Sequence, residues 1–106
     1  MLTEEDRYKI LKEVQKNPDI SQRELARRLG ISLGKANFCL KALIEKGLIK
    51  TENFKNNTNK VKYLYLLTPQ GIQDRLLLTQ RFLKRKRKEY DELEKEIEQL
   101  REEVKL

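Results

Sequence analysis

The stretch SQRELARRLGISLGKANFCLKALIEKG, residues 21–47, decides the fold, because it holds two helix patterns separated by four residues. Ser21 is a good helix N-cap, and Glu24 three residues later completes a capping box. Gly30 ends the first pattern, and Ser32 is the N-cap of a second helix. The sequence therefore predicts a helix, a tight turn and another helix.

The second of these helices has two different faces. Apolar residues recur on one face at helical spacing and predict packing on a core, namely Ala36, Cys39, Leu40 and Leu43. The other face contains no acidic residue and consists of Leu33, Gly34, Lys35, Asn37, Phe38 and Lys41. A helix that only aids solubility usually mixes its charges, whereas a helix that approaches phosphates is repelled by carboxylates. The missing carboxylates favour contact with nucleic acid.

Length and composition limit the chain to one domain with a modest core and at most one extended element, since it has 106 residues. Charged residues make up 39% and hydrophobic residues 38%. No apolar run approaches the roughly twenty residues of a membrane span. The N-terminus MLTEEDRYKI is acidic and amphipathic, unlike a signal peptide. We therefore expect a cytoplasmic protein.

The net charge of +7 is unevenly distributed along the chain. Residues 1–88 hold 21 basic and 9 acidic residues, whereas residues 89–106 hold 3 basic and 8 acidic residues. The basic residues 1–88 suit binding to a polyanion such as nucleic acid, whereas the acidic residues 89–106 would be repelled by it. Charge alone does not decide the matter, because small domains are often basic without binding nucleic acid.

Catalytic chemistry has little support in the sequence. The chain has no histidine and one cysteine, so it offers neither a disulfide framework nor the usual ligands of a zinc site. No glycine-rich phosphate loop is present, because Gly30 and Gly34 stand singly around the turn. We expect no enzyme activity, no cofactor and no bound metal.

Three further elements flank the central stretch. Thr3 and Asp6 form a capping pattern for a first helix, which ends at Asn17 because Pro18 follows. Gly47 is the predicted C-cap of the helix before it. A strand is predicted over residues 48–54, a turn over 55–60 and a second strand over 61–68, where the sequence is VKYLYLLT. The two strands and the turn form a hairpin.

A long helix is predicted from Pro69 to near the C-terminus, with Thr68 as its N-cap. No glycine follows Gly71, and about 35 helical residues would span roughly 50 Å. Its apolar residues fit a heptad pattern, which predicts a dimerisation seam made of Leu76, Leu83, Tyr90, Leu93, Ile97, Leu100 and Val104. An alternative is a helix that frays after about Lys88.

The direction of pairing in such a dimer is left open by the sequence. A parallel pair places Glu96 beside the partner's Arg101, which is favourable, but also Glu89 beside the partner's Glu94. An antiparallel pair brings the acidic end of one helix beside the basic run KRKRK, residues 84–88, of the other. That run could instead bind phosphates or remain solvated.

The motifs LARRLGIS, LIEKGLI and LTPQG occur in the order and spacing of a known family. Over about residues 5–75 the chain resembles MarR-type winged helix-turn-helix transcription regulators, and it is most similar to a small subgroup associated with exopolysaccharide gene clusters. The resemblance implies a mainly α fold with a small β-hairpin (α+β). It implies a winged helix-turn-helix DNA-binding domain in residues 1–68 and a long C-terminal coiled-coil dimerisation helix in 69–106.

The resemblance also implies a sequence-specific homodimeric regulator that binds double-stranded DNA. The second helix of the helix-turn-helix would enter the major groove, and the hairpin, or wing, would contact the flanking backbone. Phe38 could instead be wedged against the wing or the first helix. The expected DNA contacts are Ser21, Gln22, Arg23, Ser32, Leu33, Gly34, Lys35, Asn37, Phe38, Lys41, Lys55, Asn57, Lys60 and Lys62.

Some features depart from the family pattern. MarR-type wings usually carry an arginine at the tip, and this wing has only lysines, so we expect phosphate contacts rather than deep minor-groove readout. Some relatives sense oxidants with cysteine, but Cys39 falls on the core face and is predicted to pack there. A small-molecule effector is not evident. The alternative function is a protein-interaction module whose long helix pairs with a different coiled-coil partner.

Overall fold

The computed structural model describes residues 2–55 and 61–105, without the side chains at positions 54, 55, 61 and 62. Its elements are α1 (Glu4–Lys16), α2 (Gln22–Leu29), α3 (Leu33–Glu45), β1 (Ile49–Lys55), β2 (Val61–Leu67) and α4 (Pro69–Val104). The chain divides into two compact units, residues 1–76 and 77–106. The predicted fold class, mainly helical with one hairpin, is confirmed.

Helix α1 begins and ends where its sequence predicts. The Thr3 hydroxyl accepts the Asp6 amide at 3.0 Å, and the Asp6 carboxylate accepts the Thr3 amide at 3.5 Å, which completes a capping box. At the other end Asn17 is the C-cap, because the residue before Pro18 is excluded from the helical region.

The helix-turn-helix of α2 and α3 is also formed by local signals. The Ser21 and Ser32 hydroxyls accept the backbone amides of the third residues of α2 and α3 at 3.0 Å each. Gly30 ends α2 with φ +66°, in the left-handed region. Gly47 was predicted to be the C-cap of α3, but the cap is Lys46, and Gly47 follows it with φ +77°. Glycine suits this position because it can reverse the chain without strain.

The core of the first unit lies between the helices and the hairpin. Fully buried side chains of α1, α2 and α3 meet there with one residue from each strand, and the cluster includes Ile10, Leu11, Val14, Leu25, Cys39, Leu40, Leu43, Ile49 and Tyr65. The apolar face predicted for α3 is thus the face that packs inward. Burial of these side chains is the main stabilising contribution and holds α3 by its inner face.

The hairpin pairs β1 with β2 in an antiparallel register that runs from Ile49 opposite Leu67 to Lys55 opposite Val61. The strands were predicted at 48–54 and 61–68, so the observed bounds differ by one residue. Residues 56–60 of the predicted turn lie outside the described residues. The Tyr65 amide donates to the Pro18 carbonyl at 2.9 Å, which fastens β2 to the segment between α1 and α2.

The first turn of α4 lies very close to the end of α3. The Thr68 hydroxyl accepts the Gly71 amide at 3.0 Å, as its predicted N-cap role requires, and donates to the Gly47 carbonyl. The Thr68 amide donates to the Leu48 carbonyl at 3.0 Å. A Cβ atom at Gly71 would lie 2.0 Å from that same carbonyl oxygen. Only glycine allows this approach, because the obstacle is backbone.

We expect Gly71→Ala to destabilise the first unit by about 2 kcal/mol or more, since the helix must move away from Leu48. Urea unfolding followed by circular dichroism measures the change. Gly34→Ala is the matched control, because Gly34 is also helical but has no atom within 4 Å of an added Cβ. That control should be neutral or slightly stabilising, and equal losses in both variants would contradict the steric argument.

Two contacts fix the start of α4 on α1. Arg7 and Asp74 form an ion pair at 2.7 Å that is mostly shielded from solvent, and Arg75 donates to the Gln15 side chain at 2.7 Å. The sequence predicts a domain boundary after residue 68, because the hairpin ends there and the long helix begins. These contacts lie within the first unit, which ends at residue 76, and the division into two domains after residue 68 stays a prediction.

The second unit, residues 77–106, consists of the remainder of α4. The helix continues without a break past Lys88 to Val104, so the predicted long helix is confirmed and the frayed alternative is not observed. Its seam residues Leu83, Tyr90, Leu93, Ile97, Leu100 and Val104 are 42% to 85% exposed, as is Leu76 in the first unit. Among the described residues, no helix has an apolar stretch long enough to cross a bilayer.

Candidate nucleic-acid interface

The outward face of α3 is a continuous exposed surface. All six residues predicted for it are exposed: Leu33, Gly34, Lys35, Asn37, Phe38 and Lys41. Phe38 is 55% exposed, so it lies on the surface and is not wedged into the unit. The helix has no acidic residue in its first turn, and the Ser32 hydroxyl that caps it can still donate its own proton to a phosphate. This face therefore offers two cations, an amide and apolar groups to a ligand.

One carboxylate that the sequence pattern does not show lies beside this face. Asp6 of α1 approaches the Lys35 ammonium at 3.5 Å. Burial raises the pKa of Asp6, but its hydrogen bonds with Thr3 and the nearby Lys35 charge outweigh burial, so the net pKa is lowered. Asp6 is therefore ionised near neutral pH and competes with a phosphate for Lys35. Nothing in α3 itself predicts this contact, because Asp6 is 29 positions earlier in the chain.

We expect Asp6→Asn to increase affinity for a DNA duplex about threefold at 0.1 M salt, since the competing charge is removed. Asparagine keeps an acceptor for the Thr3 amide, so α1 should remain capped. Fluorescence anisotropy with a labelled duplex measures the effect. Glu5→Gln on the same helix, where Glu5 pairs with Lys9 at 2.9 Å, is the control. Unchanged affinity in Asp6→Asn would show that Asp6 does not compete for Lys35.

The start of α2 gives a second exposed group of predicted contacts, Ser21, Gln22 and Arg23. The Gln22 amide nitrogen donates to the Tyr65 hydroxyl at 2.9 Å, and Tyr65 is only 5% exposed. The Gln22 side chain therefore holds α2 against β2. The sequence predicts Gln22 as a contact to DNA and does not reveal this positioning role.

Sequence reasoning missed Tyr63, which is 53% exposed and stands edge-on to Tyr65 with ring centroids 5.2 Å apart. Tyr63 and the start of α2 line an open concavity of about 610 Å³. Alternation in VKYLYLL places Tyr63 and Tyr65 on one face of β2, which signals an aromatic pair but not that one ring is exposed. Tyr63 thus adds an exposed aromatic residue with a hydroxyl donor beside the start of α2.

Glu24 does not close the capping box that the sequence predicts. Its backbone amide is bound by Ser21, but its carboxylate binds Arg27 and Arg28 on the next turn, with a distance of 3.1 Å to the Arg28 Nε. Arg28 also reaches Glu13 of α1 at 3.3 Å. Two guanidinium donors offer a carboxylate stronger hydrogen bonds than one exposed amide, so the arginines prevail. Their hydrogen bonds lower the pKa of Glu24 to about 2.

This lowered pKa predicts a pH dependence of stability. The folded chain holds the proton of Glu24 less tightly than the unfolded chain, in which the pKa of Glu24 is near 4.5. The stabilising contribution is therefore complete above pH 4.5 and is lost as pH falls through about 2. We expect the stability difference between the unmodified chain and Glu24→Gln, measured by urea unfolding, to shrink between pH 5 and pH 2.5. A constant difference would contradict the assignment.

The four wing residues predicted as DNA contacts cannot be located as side chains. Asn57 and Lys60 lie outside the described residues, and Lys55 and Lys62 are described only as strand backbone. Their role therefore stays a prediction.

Cys39 is fully buried in the core, as its position on the inner face of α3 predicts. Burial raises the pKa of its thiol, with a further contribution from Asp6, so the reactive thiolate is disfavoured. Among the described residues no group of three or more potential ligands is arranged to hold a metal ion.

Comparison with known proteins agrees with this geometry. Residues 7–50 match the family model described as winged helix-turn-helix DNA-binding. Comparison with curated protein sequences gives no match. These matched residues contain most of α1 and all of α2 and α3, and α3 carries the exposed outward face described above.

Several solved structures are similar to the chain, among them the following three. Staphylococcus aureus MarR in complex with salicylate and kanamycin is 26% identical, with a TM-score of 0.63, and the alignment covers 81% of this chain and 56% of MarR. The transcriptional regulator SlyA is 22% identical, with a TM-score of 0.65 and coverage of 97% and 76%. Streptococcus pneumoniae FabT in complex with DNA is 23% identical, with a TM-score of 0.57 and coverage of 81% and 58%. The chain thus spans little more than half the length of MarR and FabT.

The matched family model and the fold together identify a winged helix-turn-helix of the DNA-binding type over residues 7–50. The fold of the chain is similar to that of MarR-type winged helix-turn-helix regulators, in agreement with the resemblance carried by its motifs.

Proposed function

We propose that the protein is a sequence-specific transcription regulator that binds double-stranded DNA as a homodimer. The observation that carries this proposal is the outward face of α3 from Leu33 to Lys41, which is exposed and holds no acidic residue of the helix over that part. The one carboxylate of α3, Glu45, lies at the end of the helix. A major groove about 12 Å wide accepts one helix, and phosphates on both sides require cations rather than carboxylates.

Each exposed side chain on this face has a chemical role in the proposal. Lys35 and Lys41 contact phosphates or guanine, and Asn37 pairs with adenine through its amide. Phe38 contacts a thymine methyl group or packs against sugar. Ser21, Ser32 and Arg23 hold the flanking backbone, where capped helix starts suit phosphate. Gln22 acts mainly by holding α2 against β2, and the wing lysines contact backbone phosphates.

Dimerisation supplies the second half of the site. The seam of α4 exposes large apolar side chains at heptad spacing, and such a surface is stable in water when another helix covers it. One copy reads only a few base pairs with α3, so two copies at a fixed separation are needed for useful specificity. The solved DNA complex of FabT, which shares this fold, supports DNA as the partner.

Selection of bound sites from random duplex DNA at 0.15 M salt tests this function. We expect enrichment of two related half-sites in inverted orientation, with centres about one helical turn or a multiple of it apart. Recovery of unenriched sequences would contradict sequence-specific binding. Failure to bind any duplex would leave the alternative, a protein-interaction module with a different coiled-coil partner.

A further inference from the structure

The second unit contains two segments of opposite charge on one continuous helix. Residues 81–88, the basic segment, carry six basic and no acidic residues. Residues 89–103, the acidic segment, carry eight acidic and two basic residues. Both segments are exposed almost throughout, so a partner helix can approach them. A helix with this division is complementary to a second copy of itself in the reversed direction.

An apolar seam runs through both segments. Leu83, Tyr90, Leu93, Ile97 and Leu100 alternate in steps of seven, three, four and three residues, which keeps them on one side of the helix. Lys86 occupies the remaining seam position between Leu83 and Tyr90. In the proposed homodimer, a second copy of the chain covers this seam. The following inference rests on that proposed function.

Parallel pairing of two copies is disfavoured by these charges. It would place Lys86 in the seam directly opposite the partner's Lys86, with the two basic segments side by side. The ammonium groups of the two Lys86 side chains would then have to lose their hydration within the seam, and they would also repel each other. Beside the seam, the attraction of Glu96 to the partner's Arg101 is offset by repulsion between Glu89 and the partner's Glu94.

We propose that two copies pair antiparallel along the second unit, with the basic segment of each against the acidic segment of the other. The register that best fills the seam sets Tyr90 opposite the partner's Leu93 and Leu83 opposite the partner's Leu100. Lys86 then faces the partner's Ile97, and its methylene chain can cover that residue while its ammonium stays with its own Glu89, 3.1 Å away.

The charges beside the seam are balanced in this arrangement, as they are in the parallel one. Arg87 lies next to the partner's Glu94, and symmetry makes this contact twice. Glu89 lies next to the partner's Glu96, and this pair is repulsive. The parallel arrangement also has one repulsive pair. The opposite charges of the two segments and the position of Lys86 therefore decide between parallel and antiparallel pairing. The basic segment consequently binds a second copy of the protein, and it is not a contact to DNA.

Disulfide formation between introduced cysteines tests the direction of pairing. In a Cys39→Ala background, Leu83→Cys and Leu100→Cys proteins are mixed and equilibrated with glutathione. We expect the mixed disulfide between positions 83 and 100 to predominate. Disulfides within each single protein, 83 to 83 and 100 to 100, would show parallel pairing and overturn the proposal. The proposal would also be overturned if light scattering shows that the unmodified chain is a dimer and the cysteine variants form neither kind of disulfide.

A charge reversal gives an independent readout. Glu94→Lys should weaken an antiparallel dimer about two- to fivefold, because lysine then faces the partner's Arg87. The same change would strengthen a parallel dimer, where lysine faces the partner's Glu89. Glu98→Lys, outside the seam flanks, is the control and should have a smaller effect. Light scattering distinguishes a wrong direction of pairing from the absence of a dimer. A mass of 12.7 kDa for the unmodified chain would show a monomer and would contradict the proposed homodimer itself.

Discussion

Replacement of Lys35 and Lys41 together by glutamate should abolish specific DNA binding, with a loss of at least about 100-fold in affinity at 0.15 M salt. Both residues lie on the exposed outward face of α3 and outside the core, so the fold should survive the change although the ion pair of Lys35 with Asp6 is lost. Each change removes a cation and adds a carboxylate where the phosphates would lie. Competition titrations at several salt concentrations should also show a flatter salt dependence, because fewer counterions are released.

The control for this variant carries the same change of charge elsewhere. Lys9→Glu with Lys16→Glu alters two exposed positions of α1 and should reduce affinity by far less. Circular dichroism and urea unfolding check that both variants remain folded. If the two double variants lose the same affinity, binding depends on overall charge and α3 is not the reading helix.

Replacement of Leu93 and Ile97 together by serine should convert the dimer to a monomer, with the dimer dissociation constant raised at least about 100-fold. Both side chains are exposed in a single chain, at 54% and 42%, so their removal costs little within one copy. Light scattering should give 12.7 kDa at concentrations where the unmodified chain is a dimer. Affinity for a duplex with two half-sites should fall about 30-fold or more, with little change for a single half-site.

Lys95→Ser with Gln99→Ser is the control for helix propensity, because it makes the same replacements on the opposite side of α4. This variant should stay dimeric and keep its affinity for the two half-sites. A dimeric Leu93→Ser, Ile97→Ser protein would contradict the role of the seam. A monomeric form of that protein with undiminished DNA affinity would contradict the need for two copies.

The sequence predicts those parts of the fold that depend on neighbouring residues. Thr3, Ser21, Ser32 and Thr68 were all predicted as N-caps, and each accepts a backbone amide in the structure. Such signals act within three or four residues, so a pattern is enough to find them. The heptad spacing after residue 69 likewise predicts a long helix, since its period is independent of the rest of the chain.

Contacts between distant residues account for what the sequence does not predict. Asp6 beside Lys35, Gln22 on Tyr65 and Gly71 against Leu48 each join elements that are far apart in sequence. The assignment of Glu24 to a capping box was wrong because two arginines compete for its carboxylate. These details decide which charges of the outward face are available, so the fold is easier to predict than the chemistry of its surface.

In the proposed dimer, two copies read a specific duplex through α3. The most direct measurement compares affinity at 0.15 M salt for a selected two-half-site duplex with affinity for a scrambled duplex of equal length, with complex mass from sedimentation. We predict a preference of at least about 1000-fold and two protein copies per selected duplex. Equal affinities for the two duplexes, or one copy on the selected duplex, would contradict the claim.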